Sequence, residues 1–113
     1  MIQITSIIAT PAQTFQTALA DGSIVRFSLT FRPRIPAFFL DITWNDFKLY
    51  GLKLANTVNL LDQFRNLPFG LMVFLEDGTE PYLIDDFTTG RAGFYVLEQA
   101  DLDYLASIIG GLG

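Results

Sequence analysis

Between residues 24 and 54 the chain alternates. Val25, Phe27, Leu29 and Phe31 fall on one side of an extended backbone, and Arg26, Ser28, Thr30 and Arg32 on the other. Successive side chains leave a strand on opposite faces, so a period of two belongs to a half-buried antiparallel strand. Phe38, Leu40, Ile42 and Trp44 repeat the pattern over residues 38–44, and residues 47–54 return beside them. Asn45-Asp46 between these two strands fits a type I′ hairpin turn, because both residues tolerate left-handed φ. Gly51 marks a bulge or a close backbone approach in the returning strand.

The flanks extend the same chemistry. Residues 2–8 read as a first strand, interrupted at Thr10-Pro11-Ala12, and residues 13–19 as a second, with Phe15 and Leu19 on one face. Asp21-Gly22 is a turn signal that joins this strand to 24–31 as a hairpin. Arg32-Pro33-Arg34-Ile35-Pro36 breaks the pattern, since each proline restricts itself and the residue before it. Asn59 is a helix N-cap, with Asp62 near the positive end and Leu60, Leu61 and Phe64 as the apolar side of one short helical turn that Pro68 ends. Residues 71–75 are a compact apolar strand, Asp77-Gly78 a turn, 82–84 a short strand or irregular edge, 85–90 a loop and 93–97 the last strand. Residues 100–109 then change period. Leu102, Leu105, Ala106 and Ile109 share one helical face, Asp101 and Asp103 lie in the first turn, and Gly110-Gly111 stops the helix. The pattern predicts one mainly β domain over residues 1–113, a small antiparallel β-barrel or sandwich. Its β core covers 2–97, and a C-terminal helix with a glycine-rich tail covers 98–113.

Composition narrows the chemistry. Half of the 113 residues are hydrophobic and 17% are charged, which supports a core and opposes intrinsic disorder. Eleven phenylalanines are many for a small interior, and any surplus belongs in a subunit interface. The chain has no cysteine and no histidine. Disulfides, thiolate metal sites and histidine-assisted nucleophiles are therefore excluded within it. A net charge of −5 gives no footprint for a phosphate backbone, so direct nucleic-acid binding is not expected. No run of about 20 apolar residues is present, and no membrane insertion is expected. The N-terminus lacks a basic signal-type region.

Candidate sites are few. Glu76, Asp77, Glu80, Asp85 and Asp86 are acidic, but their spacing is not that of a calcium loop, and Asp77-Gly78 is explained as a turn. Asp41 and Asp46, or Asp85 and Asp86, do not define a pair across a cleft. No glycine-rich phosphate motif occurs. No cofactor is expected, and no catalytic residue. Met72, Phe69 and Phe74 read as core. Arg32, Arg34 and Arg91 are candidate interface residues, because the guanidinium fork pairs with carboxylates and stacks on aromatics. Phe39 and the helical stripe of Leu102, Leu105 and Ile109 join them.

The order of elements resembles the small baseplate plug proteins of contractile-tailed phages and prophages, the cyanophage plug among them. The resemblance runs through Pro11-x-Gln13-x-Phe15, Thr30-Phe31-Arg32, Phe39-Leu40-Asp41-Ile42 and Leu49-x-Gly51-Leu52-x-Leu54. It continues through Asn59-Leu60-Leu61 with Phe64, Leu67-Pro68-x-Gly70-Leu71-Met72-Val73, Pro81, the loop 85–91 and Phe94-Tyr95-Val96-Leu97. It covers about residues 2–97. Family members often carry Trp-Asn where this chain has Phe31-Arg32, and residues 98–113 run past the usual last strand. The resemblance implies a structural virion protein at the central hub of a tail baseplate, assembled in the host cytoplasm. It would be present in several copies and touch hub, spike, tape-measure and tube-end proteins, without catalysis. The other reading open to an aromatic-rich antiparallel fold is a β-barrel that binds a small ligand.

Overall fold

A computed structural model describes residues 1–57, 59–61 and 67–110, with the side chains of Ala106, Ile108 and Ile109 outside the described set. Among the described residues seven strands precede one helix: β1 (Ile2–Gln3), β2 (Ala12–Ala18), β3 (Ile24–Arg32), β4 (Ala37–Trp44), β5 (Phe47–Lys53), β6 (Gly70–Leu75), β7 (Ala92–Leu97) and α1 (Gln99–Gly110). They form two antiparallel sheets, one ordered β2-β3-β4-β5 and the other β1-β7-β6. Among the described residues no ladder joins one sheet to the other, so the architecture is a sandwich and not a closed barrel.

The alternation dictates which face is buried. Val25, Phe27 and Leu29 of β3 and Phe38, Leu40 and Ile42 of β4 point toward Leu71, Val73, Phe94 and Val96 of the other sheet, all of them buried. An aromatic stack bridges the layers. Phe94 meets Phe27 at 5.7 Å and Phe15 at 5.8 Å, edge to face. Phe87 links Phe94 to Phe38, which leans on Phe31 at 4.9 Å. Each fully buried side chain of this size contributes about 1.5–3 kcal/mol, so the stack holds the layers together more than any polar contact does. It also fills the space between the sheets where a ligand-binding barrel would need its cavity.

Several details refine or depart from the sequence pattern. The first strand stops at Gln3 instead of continuing to residue 8, because the chain must leave one sheet to start the other. Ile7 and Ile8 already break the alternation, with Ile7 buried and Ile8 exposed. The Asn45-Asp46 turn is not type I′, since only Asn45 takes a left-handed φ, of 50°, where type I′ needs two. Residues 82–84 form no strand, which leaves the irregular alternative of the two the pattern allowed. Phe74 is 51% exposed on the outer face of β6, while Phe69 is buried. The helical turn expected at Asn59 begins as a turn at Leu60-Leu61, and Asp62 and Phe64 lie outside the described residues.

Candidate assembly surface

Several pieces that the sequence singled out turn out to build the fold. The Gln13 side-chain amide donates to the Ile8 carbonyl at 2.8 Å and accepts from the Ile8 N–H at 3.0 Å, so it pairs with the crossover segment as a strand would. Two residues on, Phe15 enters the aromatic stack. Asn59 Oδ1 accepts from Leu61 N–H and Leu71 N–H, and a Cβ at Gly70 would lie 2.5 Å from that same oxygen. Only glycine lets β6 pass so close. Asn56, Thr57 and Leu60 then cover the outer edge of β6 through backbone and amide bonds.

The long β6–β7 connection is organised by one charged knot. Asp86 is buried, and its Oδ2 accepts from Tyr82 N–H, Leu83 N–H and Arg91 at 2.8–2.9 Å. Arg91 also reaches Asp77 at 2.9 Å and Thr79 at 2.5 Å, and its guanidinium lies 4.6 Å above the Tyr82 ring. The Thr79 hydroxyl and amide, with Arg91, hold the Asp77 carboxyl below the ordinary carboxylate range. Glu80 turns away to pair with Lys53. Asp77, Glu80 and Asp86 are thus held by separate structural partners, and among the described residues no three acidic side chains converge as a metal site. Arg91, a candidate contact residue, has its donors engaged within the loop and shapes that surface from inside it.

The other candidates occupy two places. Arg32, Arg34 and Phe39 lie together at the β3–β4 end. The Arg32 guanidinium sits 4.7 Å over the Phe39 ring, which is half-buried between Thr30 and Lys53 on the outer face. Arg34 stands fully in the open loop beside Ile35, itself 52% exposed, with no hydrogen bond or ion pair among the described residues. Across the same outer face runs a shallow groove of about 620 Å³, with Arg26, Ser28, Asp41, Thr43 and Tyr50 in its lining. Leu102 and Leu105 are half-buried on α1, and no helix residue belongs to the described core; the Ile109 side chain lies outside the described set. The helix is anchored at its start. Asp101 reaches back to the Glu98 N–H at 2.9 Å and pairs with the Met1 ammonium at 2.7 Å. These two contacts, the ammonium first, lower its carboxyl below the usual value.

Sequence reasoning missed the second exposed aromatic surface. Phe74 and Tyr95 line a groove of about 780 Å³ beside Gln3, Thr88 and Arg91 on the outer face of the three-stranded sheet. The signal was present in the strict alternation of Leu71, Val73 and Leu75, which forces Phe74 outward.

Comparison with known proteins gives one finding. Residues 1–99 match the family described as cyanophage baseplate Pam3 plug gp18, and no curated protein matches the chain. The chain belongs to this baseplate plug family, a family of viral structural proteins. The matched region ends as α1 begins.

Proposed function

We propose that this chain is a structural plug at the centre of a contractile tail's baseplate, held there by contacts with hub and spike proteins and with the ends of the tape-measure and tube. The family match over residues 1–99 carries this reading. The structure supports it in two ways. The aromatic interior is occupied by packing between the sheets, which makes a rigid body. The β3–β4 end presents Arg34, Ile35 and the Arg32–Phe39 stack outward, the combination of arginine and aromatic surface that is enriched at contacts. We assign Arg32, Arg34 and Phe39 to contact with a neighbouring baseplate protein, with Arg91 shaping the adjacent loop. Leu102, Leu105 and Ile109 form a second contact through the helix that follows the family region. The protein acts in several copies within the virion, after assembly in the host cytoplasm.

Co-expression with the baseplate hub and spike proteins of the same virus tests this. The protein should co-purify with at least one of them, and Arg34→Glu should weaken the complex. Failure to co-purify with any baseplate protein overturns the proposal.

A further inference from the structure

The four sheet edges are not treated alike. β5 carries Lys48 and Lys53 and is interrupted by a bulge at Gly51, the devices that keep an edge from pairing with another chain. The β6 edge is covered by Thr57 and Leu60, and β1 is only two residues long. β2 has none of these protections. Its seven residues, Ala-Gln-Thr-Phe-Gln-Thr-Ala, hold no charge, no proline and no bulge, and they pair with β3 in an unbroken register.

The direction of its free backbone groups follows from the ladder. Leu19 N–H donates to the Ser23 carbonyl, and Phe31 N–H to the Pro11 carbonyl. Antiparallel bonding alternates along a strand, so Gln13, Phe15 and Thr17 bond to β3, while Ala12, Thr14, Gln16 and Ala18 turn their N–H and C=O groups outward. No backbone bond outside the sheet ladders reaches Thr14, Gln16 or Ala18 among the described residues. The crossover segment does not close this edge, because it is held through the Gln13 side chain at Ile8.

We infer that the β2 edge pairs with β2 of a second copy of this chain, antiparallel about a two-fold axis at Phe15. The order of residues is what selects a second copy as the occupant. About Phe15 the strand is nearly self-complementary: Thr14 falls opposite Gln16 of the second copy, Gln13 opposite Thr17, and Ala12 opposite Ala18. Thr14 and Gln16 are both outward-bonding residues, so this register places free donors against free acceptors on both strands. The residues on both sides of the axis are uncharged, so no like charges oppose this register. An isologous contact of this kind closes on itself, and it merges two four-stranded sheets into one continuous sheet.

Sedimentation equilibrium of the full chain from micromolar to millimolar concentration tests it, with circular dichroism to confirm folding. The unmodified chain should dimerise. In T14E/Q16E each carboxylate faces another across the axis, and dimerisation should weaken about tenfold or more. T14K/Q16E sets opposite charges in the same two places and should restore it. Thr14→Pro removes an outward N–H without touching the β2–β3 ladder, and it should also give monomer if T14E/Q16E does not fold. A chain that stays monomeric throughout overturns the inference. So does T14E/Q16E dimerising like the parent, or both charged variants dissociating equally. A strand contact only with another baseplate protein also overturns it while leaving the proposed function standing.

Discussion

Asp41 accepts a hydrogen bond from the Gly51 N–H at 2.8 Å, across the place where the β4–β5 register slips between Leu40 and Ile42. Tyr50 and Gly51 both stand opposite Asp41, so one backbone N–H has lost its ladder partner, and the carboxylate supplies the missing acceptor. Gly51 takes φ of +73° with open space around it. The requirement for glycine is therefore conformational and not steric. Gly51→Ala should cost about 1–2 kcal/mol, and Asp41→Ala about 1 kcal/mol for the lost bond. Urea denaturation of both variants measures this. A larger loss on Asp41→Ala than on Gly51→Ala would contradict the division of roles.

The Asp86–Arg91 contact joins a buried carboxylate to a guanidinium at 2.8 Å. Arg91→Ala leaves a buried carboxylate with one of its three partners gone, and the expected loss is about 3–5 kcal/mol. Removing both partners in D86A/R91A should cost less than the two single losses together. A thermal-unfolding double-mutant cycle reads this coupling. Additive losses would show that the two side chains act independently.

How much of this was visible in the sequence depends on the range of the interaction. The alternation in β3 and β4 is a local signal, and it correctly gave the strands, the buried faces and the hairpins. Gly51 announced a bulge, but only the structure distinguishes a bulge from a close approach. The Asp86–Arg91–Asp77 knot was not legible as such. It depends on how the sixteen residues between β6 and β7 fold back on themselves, and no period marks that. Gln13 reads as an ordinary strand residue until Ile8 is seen beside it. Asn45 was expected to share its left-handed φ with Asp46, but Asn45 alone adopts it, and one left-handed residue at the first turn position suits the strand twist as well as two do.

The start of α1 should depend on pH. The Asp101 carboxyl is lowered by the Met1 ammonium and the Glu98 N–H, so its contribution to stability is present above the ordinary carboxylate value and is lost as pH falls through the lowered one. At neutral pH, Asp101→Asn should speed amide exchange in the first turn of α1. That difference should vanish in acid. Hydrogen exchange at several pH values checks this, and a difference that persists below the folded pKa would assign the effect to something other than the charge.

Charge reversal separates the contact surface from the fold. Arg34 has no described partner within the chain, so Arg34→Glu should leave thermal stability within about 0.5 kcal/mol of the parent. It should weaken binding to baseplate neighbours on the order of tenfold, chiefly through a salt-dependent association rate. Binding kinetics at two ionic strengths measure it. An unchanged rate at low salt would mean that this end of the molecule is simply solvated.

Cryo-electron microscopy of the intact tail tip tests the central proposal most directly. Density fitting the two-sheet fold should lie on the baseplate axis, with the β3–β4 end against a neighbouring protein. A complete baseplate whose axis is filled by other proteins, with this chain absent from it, would contradict the proposed role.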